Sequence, residues 1–110
     1  MQSSALESLS PKVRRSLAKL GGDIATARRK RNLTTVMMAE RIGSAKTTYL
    51  KVEKGDPSAS MGVYAMALFV LGFGDAIGGI VDPRRDDVGL LLDAERLPKR
   101  VRPRKVPIAL

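Results

Sequence analysis

Apolar residues recur at helical spacing along the first third of the chain. Ser10 and Pro11 suit a helix start, because serine caps free N–H groups and proline is tolerated in the first helical position. The apolar stripe then steps by four or three residues through Val13, Leu17, Leu20, Ile24 and Ala27. This periodicity predicts an amphipathic helix that runs to about Arg31. Gly21-Gly22 lies in its middle, where each glycine costs about 1 kcal/mol relative to alanine, so either a kink or a close packing contact is expected there.

The next stretch, residues 34–55, has the pattern of two short helices joined by a glycine. Thr34 is a good N-cap residue, and Gly43 suits the left-handed position that ends a helix. One face of the first helix is apolar, with Met38, Ala39 and Ile42. The second helix, from about Ala45 to Lys54, has Tyr49 and Val52 as its apolar face. Two short helices joined by a tight turn are typical of a helix-turn-helix.

Three further helical segments are predicted after Gly55. Ser58 or Ser60 caps a strongly apolar helix over residues 61–71, and its candidate core residues are Val63, Met66, Ala67, Val70 and Leu71. Met61, Met66 and Phe69 are interpreted as core residues rather than as a cofactor site. A short fifth helix over residues 76–81 is weakened by Gly78-Gly79, and a sixth begins at Asp86.

The sixth segment has more apolar surface than a terminal helix easily leaves exposed. The residues concerned are Val88, Leu90, Leu91, Leu92 and Leu97. Two interpretations remain open: the helix packs on its own domain, or it forms a dimer interface or docks a partner.

Composition excludes several classes of function. The chain has no cysteine and no histidine, which removes disulfides, thiolate catalysis and the usual zinc ligand sets, and suits the cytoplasm. No apolar run reaches the roughly 18 residues of a membrane span, and the N-terminus lacks the apolar core of a signal peptide. We expect no enzyme, no metal and no cofactor. Asp82, Asp86 and Asp87 are better explained as helix-end residues than as metal ligands.

Charge is distributed unevenly along the chain. The net charge is +9, with +8 in residues 1–55, −5 in residues 56–95 and +6 in residues 96–110. A basic surface on a helical domain is the electrostatic footprint of duplex binding. Aromatic residues make up only 4%, which argues against single-strand binding by base stacking.

The stretch from Leu33 to Gly55 resembles the lambda-repressor-like (XRE/Cro) family of helix-turn-helix regulators. The matching residues are Leu33-Thr34, Ala39-Glu40-Arg41, Gly43, Lys46-Thr47-Thr48, Lys51 and Val52-Glu53-Lys54-Gly55. The continuation from Asp56 through Leu97-Pro98-Lys99-Arg100 is similar to the HipB-like antitoxin subgroup. The resemblance implies an all-α helix-turn-helix bundle of five to six helices with a basic extended tail. It would comprise a flexible N-terminus (1–9), a DNA-binding domain (10–95) and the tail (96–110).

The resemblance also implies a function. It indicates a sequence-specific repressor that binds an inverted-repeat operator in double-stranded DNA as a homodimer. It further implies the antitoxin of a type II toxin–antitoxin operon that represses its own operon beside a HipA-like kinase toxin. The alternative is a stand-alone XRE-type regulator without a toxin.

Mapped onto this chain, the resemblance assigns two groups of DNA contacts. Base readout is expected from Lys46, Thr47 and Lys51, since lysine donates to guanine and threonine bonds a base or touches a thymine methyl. Backbone contacts are expected from Thr35, Ser44, Thr48, Arg28 and Lys30. For the cations of residues 28–31, a solvated helix end is an equally good interpretation.

Three features near this site depart from the family or need a partner. Ala45 stands where a capping serine or threonine is common, so Ser44 caps instead or the helix starts less firmly. Tyr49 replaces a branched aliphatic residue, and its hydroxyl must find a partner or reach solvent. Glu53 is expected to be structural, because phosphates would repel it.

Overall fold

The structure, a computed structural model, describes residues 8–92 and 97–103. In that part of the chain all regular structure is helical, and no strand is present, which confirms the all-α prediction. Five α-helices are formed: α1 (Pro11–Lys30), α2 (Thr35–Ile42), α3 (Lys46–Glu53), α4 (Met61–Val70) and α5 (Asp87–Leu90). Residues 1–7 of the predicted flexible N-terminus lie outside the described residues, as do residues 96 and 104–110 of the predicted tail.

The chain divides into two compact units, Met1–Gly79 and Ile80–Leu110. The first unit contains α1 to α4, and the second contains α5. The division falls inside residues 10–95, which the sequence analysis assigns to one domain.

Helix α1 begins and ends as its sequence predicts and runs without a break through its two glycines. The Ser10 hydroxyl accepts from the Lys12 N–H at 3.2 Å, and proline occupies the first turn. A Cβ built on Gly21 would lie 2.6 Å from the backbone of residues 52–55, whereas one on Gly22 would meet nothing within 4 Å. Close packing of α1 against the end of α3 therefore explains Gly21, and there is no kink.

Helices α2 and α3 are joined by a three-residue connection. The Thr34 hydroxyl caps α2 by accepting from the Met37 N–H at 3.0 Å. Gly43 ends α2 in the left-handed conformation with φ 78°, as predicted. Its N–H donates to the Ala39 carbonyl at 2.9 Å, which closes the last turn before the chain enters α3.

One core holds these four helices together, since each contributes to it. Tyr49 and Val52 of α3 are fully buried, as predicted. The core cluster consists of Ile24, Met38, Ala39, Tyr49, Val52, Tyr64, Ala67 and Leu71.

The prediction that Met61, Met66 and Phe69 belong to the core is wrong. Their side chains are 71%, 39% and 64% exposed. Helix α4 instead packs through Tyr64 and Ala67, three residues apart, so these other three side chains face away from the core. Val13 near the start of α1 is also exposed rather than part of the core.

Residues 76–90 are less helical than predicted. The expected fifth helix is reduced to one 3-10 turn, Ile77–Gly79, because paired glycines do not sustain a helix. Asp82 caps a second 3-10 turn (Pro83–Arg85), and Asp86 caps α5 by accepting from the Gly89 N–H. These two aspartates are therefore helix-end residues, as predicted.

The apolar side chains of α5 and the residues after it are exposed in the structure. Leu91 is 88% exposed, and Val88, Leu90 and Leu92 also present most of their surface to solvent. The first of the two open interpretations, in which this segment packs on its own domain, does not describe the structure.

Candidate functional site

Helix α3 has one buried face and one exposed face, and the exposed face carries the predicted base-reading residues. Lys46, Thr47 and Lys51 are all exposed. With about 100° between successive residues, Thr47 lies about 170° from the midpoint of Tyr49 and Val52, Lys51 about 130° and Lys46 about 90°. Thr47 and Lys51 therefore project away from the core, and Lys46 projects to one side.

This exposed face is positively charged, because the one acidic residue of the segment is neutralised internally. Residues 44–55 contain three lysines and a single carboxylate, that of Glu53. Glu53 is half-buried and pairs with Arg28 of α1: its Oε2 lies 2.6 Å from Arg28 Nε, and its Oε1 lies 3.2 Å from Nη2. The prediction that Glu53 is structural agrees with this placement.

The Tyr49 hydroxyl completes the cluster by donating to Glu53 Oε2. Burial and the hydrogen bond to Glu53 raise the pKa of Tyr49 well above its usual value. The hydrogen bond with Glu53 likewise raises the pKa of Arg28. At neutral pH, Tyr49 therefore keeps its proton and Arg28 its charge. The tyrosine finds the internal partner that the sequence analysis required.

Arg28 has a different role from the predicted backbone contact with DNA. Its side chain is 12% exposed, and a further donor, Nη1, bonds the Leu33 carbonyl at 2.9 Å. The guanidinium thus links the end of α1 to the start of α2 and to α3, and it is not positioned for a phosphate. The sequence offered no local signal for this, because Arg28 and Glu53 are 25 residues apart. Lys30, by contrast, is exposed at the last position of α1.

The remaining predicted backbone contacts lie at helix starts. Thr35 is the first residue of α2, Ser44 lies in the connection between α2 and α3, and Thr48 lies in the first turn of α3; all three are half-buried. The Ser44 hydroxyl donates to the Ala45 carbonyl at 3.2 Å and does not cap the helix. No side chain caps α3 at Ala45. The first-turn N–H groups of α3 therefore remain available to an anion.

The chain was compared with known proteins in three ways. No family model, curated protein or solved structure matches it. A functional assignment therefore depends on the geometry of α3 and its neighbours.

One residue on the exposed side of α3 was missed by the sequence analysis. Leu50 lies about 130° from the midpoint of Tyr49 and Val52, which puts it on the same side as Thr47. It is half-buried, but it is not one of the partly buried apolar side chains that pack on the core among the described residues. The helical spacing of Tyr49 and Val52 was a sufficient signal, because it places residue 50 outside the buried face.

Two other kinds of site were sought in the described part of the chain. Within residues 8–92 and 97–103, no group of three acidic, cysteine or histidine side chains is arranged to hold a metal ion. In the same residues, no helix has the length and apolar character needed to cross a membrane.

Proposed function

We propose that α2, its glycine turn and α3 act as a helix-turn-helix and that the protein is a sequence-specific, double-stranded DNA-binding transcriptional repressor. The observation that carries this proposal is the exposed face of α3. It presents Lys46, Thr47 and Lys51 while the opposite face is anchored by buried Tyr49 and Val52. A major groove about 12 Å wide admits such a helix.

Within this proposal, the two kinds of contact have different tasks. Lys46 and Lys51 donate to guanine O6 and N7, and Thr47 bonds a base edge. The exposed ammonium group of Lys30 and the uncapped start of α3 hold phosphates and set the position of α3 in the groove. Thr35, Ser44 and Thr48 add hydroxyl contacts to the backbone.

The placement of α3 is rigid, which sequence readout requires. On one side, Gly21 of α1 lets the helix approach the backbone of residues 52–55. On the other, Arg28 ties Glu53 to the carbonyl of Leu33. A reading helix that is held at both levels keeps its side chains in register with base edges.

Selection from a pool of random DNA duplexes, using the full chain, tests this function. We expect enrichment of one sequence arranged as an inverted repeat, and a steep loss of affinity with salt. Lys30→Ala should weaken binding to enriched and random duplexes equally and should lower the log–log salt slope by about 0.9. Failure to enrich any sequence, at salt low enough for non-specific binding, would refute the proposal.

The inverted repeat requires a homodimer, and the structure offers two exposed apolar surfaces for one. The first is formed by α5 and the residues after it, including Leu91, and the second is the outward face of α4, including Phe69. We propose the α5 surface, because its leucines form a continuous exposed run. Light scattering should give twice the chain mass for the wild type and for Phe69→Lys, but the single mass for Leu91→Lys. A wild-type monomer, free and on DNA, would rule out the dimer.

We further propose that the protein acts in the cytoplasm as the antitoxin of a HipA-like kinase. A protein partner needs apolar surface to bury, and the outward face of α4 provides it. Affinity purification from the native host, with identification of bound proteins, distinguishes this role from that of a stand-alone regulator. Co-purification of a kinase-like protein supports the antitoxin role, and its reproducible absence supports the alternative.

A further inference from the structure

The exposed side of α3 carries one aliphatic residue among polar and charged ones. Leu50 is preceded by Thr47 at i−3 and flanked by Lys46 and Lys54 at i−4 and i+4, all of which are exposed. These spacings place the four side chains next to one another on the helix surface. The core does not account for Leu50, because the buried face is formed by Tyr49 and Val52.

Solubility does not account for Leu50 either, since a polar residue would serve better on an exposed helix face. The accessible part of its side chain lies beside the γ-methyl group of Thr47. Together these methyl groups form a small apolar surface within a ring of lysines. In the major groove, the apolar feature that bases present is the 5-methyl group of a pyrimidine.

We propose that Leu50 and the Thr47 methyl group form a contact site for the 5-methyl group of a pyrimidine in the major groove. This inference rests on the proposed function and deepens it, because it assigns a base feature to a residue other than the three polar readers. The pyrimidine is thymine or 5-methylcytosine. Both present the same methyl group at the same position, and the experiment below distinguishes them.

The experiment uses the duplex enriched by selection with the full chain. Each thymine is replaced in turn by uracil, which removes only the 5-methyl group, and each cytosine in turn by 5-methylcytosine. Burial of one methyl group corresponds to about a fourfold change in affinity. We expect one uracil substitution in each half-site to weaken wild-type binding about fourfold. If the contacted base is a cytosine, the corresponding methylation should instead strengthen binding by the same factor.

Two variants assign the methyl effect to these side chains. For Leu50→Ala, the affinities for the thymine and uracil duplexes should converge. Thr47→Ser removes the γ-methyl group but keeps the hydroxyl, and it should reduce the methyl effect only partly. Circular dichroism confirms that each variant folds.

The outcome separates this inference from the proposed function. If a sequence is enriched but the wild type shows no methyl dependence at any position, the methyl site is excluded while DNA reading stands. This wild-type result does not depend on the folding of any variant. A methyl dependence that persists unchanged in Leu50→Ala also overturns the assignment. If no sequence is enriched, the proposed function fails, and this inference fails with it.

Discussion

The packing of α1 against the end of α3 predicts opposite effects for the same substitution at two adjacent glycines. Gly21 and Gly22 both lie inside α1. Alanine is favoured over glycine in a helix interior by about 1 kcal/mol. At Gly22, a Cβ meets nothing within 4 Å, so Gly22→Ala should stabilise the protein by about that amount.

At Gly21, the added Cβ would lie 2.6 Å from the Val52 and Glu53 carbonyl oxygens and the Gly55 nitrogen. All three are backbone atoms, so they cannot rotate away as a side chain would. The two helices must separate, and overpacking of this kind costs about 1–3 kcal/mol or more. The difference between the two variants isolates this cost, because the helix-propensity gain is common to both.

Urea denaturation followed by far-ultraviolet circular dichroism measures both changes on one scale. We expect Gly22→Ala to unfold at higher urea than wild type and Gly21→Ala at lower urea. The two free energies of unfolding should differ by at least about 1–3 kcal/mol. Equal stability of the two variants would refute the close approach of α1 to the end of α3.

The remaining predictions concern the ion pair, the tyrosines and the start of α3. Glu53→Gln leaves the largely buried Arg28 charge without its partner and should cost about 3 kcal/mol in urea denaturation, whereas Asp23→Asn, which breaks an exposed pair, should cost less than about 1 kcal/mol. Burial raises the pKa of both tyrosines of the chain, so the folded state holds their protons more tightly than the unfolded state. Their contribution to stability is complete below about pH 10 and is lost as the pH rises above it, so tyrosinate absorbance should appear together with unfolding in water but near pH 10 in denaturant. A tyrosinate signal near pH 10 in the folded protein would contradict this. Ala45→Ser supplies the missing cap and should add about 1 kcal/mol to the free energy of unfolding; no gain would show that this turn is already satisfied.

The helices of the first unit could be predicted because their signals are local. Ser10, Thr34 and Gly43 each act within four residues of the backbone groups that they cap or end. The buried face of α3 followed from the spacing of Tyr49 and Val52. These features depend on neighbours along the chain, which the sequence displays directly.

The errors have two physical causes. Helix α4 is apolar on nearly every side, so periodicity cannot choose which side faces the core, and Phe69 was placed inside when it is exposed. The role of Arg28 depends on a partner 25 residues away, which no local pattern indicates. The tight fit at Gly21 also depends on a distant segment, and the sequence analysis left it as one of two alternatives.

The central claim is that the exposed face of α3 reads base sequence. The direct measurement is the ratio of affinities for the enriched duplex and a random duplex, at one fixed salt concentration. It is made for wild type and for Lys46→Ala, Thr47→Ala and Lys51→Ala. Arg15→Ala serves as a charge-matched control, since Arg15 is exposed and lies about 180° around α1 from buried Ile24.

A base contact contributes about 1–3 kcal/mol of discrimination, so each α3 variant should lower the ratio by about that free energy, most for the residues that make bidentate contacts. Arg15→Ala should leave the ratio unchanged. If all three α3 variants keep the wild-type ratio, the sequence is read by another element, and the central claim is wrong.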